Sequence, residues 1–142
     1  MPRDLGSVRV SGRRPALGAA RVRRAVATVL RAERRQADIS VTFVGLTTIR
    51  RMNQEYLGHE GPTDVISFAL PNPDGHLAGD IYICKAVAER NARRHEVSLR
   101  QELTRLVIHG TLHVLGYEHP EDDARADSPM WHRQERYLKR VP

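Results

Sequence analysis

A single α+β domain, with about four short strands in a mixed sheet packed against about five helices, is what the apolar pattern of this chain predicts. Three observations carry that reading. Alternating or β-branched segments recur between segments of helical period. Two apolar runs, 64–70 and 79–83, are separated only by a short Pro- and Gly-containing break, so they pair as antiparallel neighbours. Finally, 142 residues suffice for one hydrophobic core without staples, and with Cys84 as the sole cysteine no intramolecular disulfide forms.

The elements follow in order. Ser7-Val8-Arg9-Val10 alternates and reads as an edge strand. After Gly12 and Pro15 the spacing predicts a helix over about 17–35, with Ala19, Val22, Val26, Val29 and Leu30 on one face and Arg21, Arg24, Arg31 and Arg35 on the opposite stripe. That stripe is a solvated face or a phosphate-contacting ridge. Residues 38–44 alternate with β-branched residues, the pattern of a strand. Thr47 or Thr48 is placed to cap a helix over 49–57 whose apolar stripe is Ile49, Met52 and Tyr56. A turn over 58–63 leads into the run 64–70, apolar enough for a central strand. Pro71-Asn72-Pro73-Asp74-Gly75 breaks it before the next strand, 79–83. Helices follow over about 85–94, from a Ser98 cap into the histidines at 109 and 113, and over about 130–139, with Met130, Tyr137 and Leu138 as core contacts. Pro120-Glu121-Asp122-Asp123 reads as an exposed acidic loop.

The net charge is +6 and is unevenly spread. Residues 1–36 hold ten arginines against Asp4 and Glu33, giving +8, so the remainder is −2. Such asymmetry suits a polyanionic partner, nucleic acid being the commonest. Arginine outnumbers lysine 21 to 2, which also fits a GC-rich genome. No apolar run approaches the roughly 18 residues of a membrane span, and no hydrophobic signal-peptide core follows Met1. A reducing, cytoplasmic setting is the expectation.

The chemistry concentrates in His109-Gly110-Thr111-Leu112-His113-Val114-Leu115-Gly116-Tyr117-Glu118-His119. Two histidines four apart on a helix share a face, and a glycine three residues later ends the helix at a positive φ, which brings His119 back to the same point. Three imidazoles and no fourth protein ligand make an open, catalytic-type metal site rather than a closed structural one. The spacing is that of the metzincin proteases with one change. Gly110 stands where those enzymes carry the glutamate that activates water for peptide hydrolysis.

Together, several segments resemble the YbeY family of bacterial metal-dependent endoribonucleases. The resemblance rests on His109-Gly110-x-Leu112-His113-x-Leu115-Gly116-Tyr117-x-His119, on Pro62-Thr63-Asp64-Val65-Ile66-Ser67-Phe68 and on Gly79-Asp80-Ile81. Met52-Asn53 and the segment 130–138 add weaker support, and the likeness spans about residues 38–138. It implies the α+β fold, a zinc-type ion on His109, His113 and His119, and single-stranded RNA as substrate. It also implies maturation of the small-subunit rRNA 3′ end, ribosome quality control, and the ribosome or its small subunit as partner. Two positions depart from the pattern. Leu57 stands where many members carry an arginine regarded as important in the cleft, and Glu118 replaces an aspartate. Arg50, Arg51 or the N-terminal arginines are candidates to substitute for that arginine.

The mechanism so implied is metal-assisted phosphodiester cleavage. No catalytic base is assigned: Glu118, Asp64 and Asp80 are candidates, each with a structural alternative, namely orienting a histidine for Glu118 and a turn or cap for the aspartates. Two other function classes share parts of the pattern. One is a ribosome assembly factor with a mainly structural metal; the other is a metal-dependent hydrolase of a different substrate.

Overall fold

The structure is a computed structural model, and it describes residues 5–12, 15–71, 76–119 and 123–142. Strands β1 (Val8–Ser11), β2 (Asp38–Val44), β3 (Val65–Pro71) and β4 (Leu77–Cys84) form one sheet in the order β1-β2-β4-β3. The β1/β2 and β2/β4 pairs are parallel, and β3/β4 is antiparallel, as the short break between those runs predicts. Helices are α1 (Ala19–Glu33), α2 (Leu46–Leu57), α3 (Lys85–Arg94), α4 (Leu99–Val114) and α5 (Pro129–Leu138), with a short 3-10 helix at Asp123–Asp127. The break at 72–75 and the acidic loop at 120–122 lie outside the described residues.

Alternation along the central strands divides the apolar residues between two clusters. Ile39, Val41, Phe43, Ile81 and Ile83 join Val22, Val26, Val29 and Leu30 of α1 and Leu103, Val107, Ile108 and Leu112 of α4 in the main core. Each such buried side chain contributes about 1.5–3 kcal/mol relative to exposure. A smaller cluster combines Ile49 and Met52 of α2 with Ile66, Cys84 and Val87. The run 64–70, expected as a central strand, is the edge strand β3 instead. Its apolar residues are used on both faces: Ile66 and Phe68 join the smaller cluster, Val65 packs on the main core, and α4 lies against it.

Two further expectations change. Helix α2 starts at Leu46 with Gly45 as its cap, and no threonine side chain caps it. Within it Tyr56 is 61% exposed. Asn53 takes the buried position and donates from Nδ2 to the Gly61 carbonyl at 3.0 Å, closing the turn after the helix. On α1 the arginine stripe is not uniform. Arg21 donates from Nε to Thr104 Oγ1 at 2.8 Å and from its terminal nitrogens to the carbonyls of Val141 and Pro142, whereas Arg24, Arg31 and Arg35 are exposed.

Helix α4 is buried from Glu102 to Val114 apart from the half-buried Arg105 and His113. Ser98 Oγ accepts from the Gln101 amide at 3.0 Å and fixes its start. Near its other end, a Cβ added at Gly79 of β4 would lie 2.3 Å from the Val114 side chain, so the helix end is seated directly on the strand. Ser128 caps α5 by accepting from the Trp131 amide, with Pro129 in the first turn.

Candidate metal centre

His109 and His113 lie in the last turns of α4, held by packing against the sheet, α1, α3 and α5. Gly116 follows at φ +104, a conformation costly for any side chain, and turns the chain so that His119 returns beside them. The ring centroids of His109 and His113 are 4.6 Å apart, and that of His119 is 5.0 Å from each. One nitrogen from each ring lies within 4.8 Å of the others. The three residues singled out by spacing are therefore one cluster in space.

The hydrogen bonds fix which nitrogens face one another. Gln134 Nε2 donates to the Glu135 carboxylate at 3.1 Å, so its Oε1 is the atom 2.6 Å from His109 Nδ1. A carbonyl oxygen only accepts, so His109 carries its proton on Nδ1 and presents the Nε2 lone pair. His113 Nδ1 likewise donates to the Tyr117 carbonyl at 2.9 Å. Glu135 is itself held by Arg105, whose Nε and second terminal nitrogen reach it at 3.0 Å each while Nη1 reaches Glu102 at 2.7 Å. Gln134 is a functional residue the sequence reading missed. Its signal lies in the period of α5, where it shares a face with the core residues Met130, Tyr137 and Leu138.

Burial and neighbouring charge keep the His109 and His113 rings neutral. Burial first, then the neighbouring His113, pushes the pKa of His109 down to about 3. Burial and His119 lower His113 as well, and Arg125 lowers both. Neutral imidazole is the form that binds a metal. Three imidazoles, two of them oriented through Nδ1, are a donor set that fits a divalent ion of zinc type.

The cluster forms the floor of a cleft of about 830 Å³ whose walls include Leu57, Asp64, Ser67, Glu118 and Arg125. Glu118 is exposed at the rim and orients neither His109 nor His113; Gln134 and the Tyr117 carbonyl do that. Asp64 accepts from Asn91 Nδ2 at 3.2 Å and from Thr63 Oγ1 at 3.5 Å. Asp80 sits opposite Phe68 in the β3/β4 register and is not part of the cleft. Arg50 and Arg51 line a separate shallow groove with Gln54 and Gly61. Gly110 faces the sheet: an added Cβ would lie 2.7 Å from Ile81 Cγ2 and 2.9 Å from Ser67 Oγ. A protease-type glutamate has no room there.

Glu33, at the end of α1, ties the cluster to the rest of the domain. Its Oε1 accepts from the Tyr117 hydroxyl at 2.6 Å, and its Oε2 accepts from Arg133 at 2.8 Å and from the Tyr137 hydroxyl. Burial raises its pKa, but the two tyrosine bonds and the Arg133 charge outweigh that and hold it below the ordinary carboxylate value.

Comparison with known proteins supplies a further line of argument. Residues 14–142 match the family described as Endoribonuclease YbeY. The chain is similar to an Endoribonuclease YbeY of Chlorobium luteolum, 42% identical over 121 residues that cover 83% of this chain and 85% of the relative. Its similarity to the protein of that name from Chloroherpeton thalassium is 38% over 119 residues, covering 83% and 82%. A solution structure of a Thermotoga maritima protein superposes with a TM-score of 0.65 at 30% identity, covering 94% of this chain and 88% of the other.

Proposed function

Because the chain belongs to the YbeY family, we propose that it is a metal-dependent endoribonuclease that cleaves single-stranded RNA, with ribosomal RNA at the small-subunit 3′ end as its substrate and the ribosome as its setting. The observation that carries the reading is the convergence of His109, His113 and His119, all on the floor of one open cleft. In this reading His109, His113 and His119 hold the ion. When bound, a zinc-type ion supplies Lewis acidity to a phosphoryl oxygen and acidifies a water molecule.

The chain's own residues do the rest. Gln134 and the Tyr117 carbonyl hold two imidazoles in the tautomer that presents Nε2, and their burial keeps protons off those rings at neutral pH. Neutral ligands leave the positive charge of the site undiminished, which suits a phosphodiester. Peptide hydrolysis is the weaker alternative, because position 110 is packed against Ile81 and Ser67 where a protease needs its glutamate.

The test is cleavage of a 5′-labelled single-stranded rRNA fragment by the purified protein and by His113→Ala prepared identically. Cleavage by the wild type alone, abolished by chelator and restored by one metal, is the expected result. Identical traces from both, with wild-type metal content confirmed, would overturn the nuclease reading in favour of an assembly factor.

A further inference from the structure

A second cleft of about 550 Å³ opens beside the histidine cleft, and Asp64, His109 and Arg125 line both. Its walls carry Trp131, Arg94, His95 and Val97. Trp131 is half-buried and is the one tryptophan of the chain. Arg125, on the 3-10 helix at the seam, has a buried Nε with no hydrogen-bond partner among the described residues. That is unusual, since a desolvated guanidinium nitrogen is costly when left unpaired. Among the described residues the carboxylate lining both clefts is Asp64, and it accepts from Thr63 and Asn91 rather than from Arg125. The other cation deep in this cleft, Arg105, is already taken by Glu102 and Glu135. Among the described residues the Arg125 Nε is thus left without a partner, and Arg125 lines the histidine cleft together with His109 and His113.

We propose that Arg125 binds the phosphate joining the scissile nucleotide to its neighbour, and that the second cleft is the subsite for that neighbour, its base stacked on Trp131 and its outer phosphate near Arg94. The assignment rests on the ribonuclease reading above and adds the path of the strand across the molecule. An anion at the seam meets the guanidinium of Arg125, which lines both clefts, and a half-buried indole sharing a cleft with Arg94 is the usual platform for an unpaired base. Recognition of this kind reads a backbone and an aromatic face, so it tolerates any sequence.

The lone tryptophan supplies the readout. A short 2′-O-methyl oligouridylate carrying a 5′ fluorophore is titrated into the metal-loaded protein, following its anisotropy and Trp131 emission together, alongside cleavage of an unmodified strand. Saturable quenching of Trp131 that tracks the anisotropy is expected. Arg125→Gln is expected to weaken binding about tenfold and to reduce the slope of log Kd against log salt by about 0.7, with metal content unchanged; Arg125→Lys restores the slope. An unquenched Trp131 at saturation, or Arg125→Gln with wild-type affinity and salt slope, overturns the subsite while wild-type cleavage leaves the nuclease reading standing. Loss of metal or fold in both Arg125 variants assigns the residue to the architecture and also overturns it. A wild type that neither binds nor cleaves overturns the subsite and the nuclease reading together.

Discussion

At the scale of single residues, the histidine cluster was legible because its spacing alone encodes a helical face and a returning turn. Its supports were not, because they come from far along the chain. Gln134 lies 25 residues from the histidine it orients, and Glu33 lies 84 from the tyrosine it holds. Glu118, adjacent to His119, was open to either a base or an orienting role, and the orientation of His109 and His113 falls instead to Gln134 and the Tyr117 carbonyl. Gln134→Leu fills the same space but removes the acceptor for His109 Nδ1. It is expected to weaken metal binding about 10–100-fold with the fold intact, measured by competition against a chelating dye. Unchanged affinity would show that packing alone orients the ring.

At the scale of elements, the Ser98 cap and the spans of β2 and α3 follow from local chemistry. Local pattern failed where a distant partner decides. Tyr56 sits on the apolar period of α2, yet the helix is rolled so that Asn53 points inward to Gly61. The run at β3 has the composition of a central strand because helices cover both its faces, while its neighbour on one side is simply missing. Glu33 joins three elements: the end of α1, the turn after α4, and α5 through Arg133 and Tyr137. Replacement by Gln leaves one acceptor for three donors and removes the negative charge. A loss of about 1–3 kcal/mol is expected in denaturant unfolding, with weakened metal binding because the Tyr117 carbonyl is then less firmly held against His113. Loss of stability without any change in metal affinity would separate the two roles.

At the scale of the whole molecule, mean charge predicted a polyanionic partner but not where it meets the chain. The arginine-rich first third divides between structural use, as in Arg21, and exposed positions on α1. No helix of the described residues is long and apolar enough to cross a membrane. Buried neutral histidines also set the acid response of the metal-free protein. His109 takes a proton near pH 6.5 when unfolded but only near pH 3 when folded, and His113 is shifted in the same direction. The stability they contribute is therefore complete above about pH 6.5 and lost as pH falls toward 3, by about 1.4 kcal/mol per pH unit for each proton bound. Urea midpoints of chelator-treated protein should drop between pH 7 and pH 5; a flat profile would mean the rings are charged in the fold.

The packing of Gly110 on Ile81 and Ser67 has a consequence for descent. Two of the four glycine codons are a single nucleotide from a glutamate codon, and the histidine spacing already matches that of a family of peptidases. By mutation alone, this site is one or two nucleotide changes from acquiring a peptidase base. By volume it is many steps away, because the helix would have to lift off the sheet along β3 and β4 to admit the side chain. A glutamate at position 110 is thus barred by the contact of a helix with a strand rather than by the genetic code.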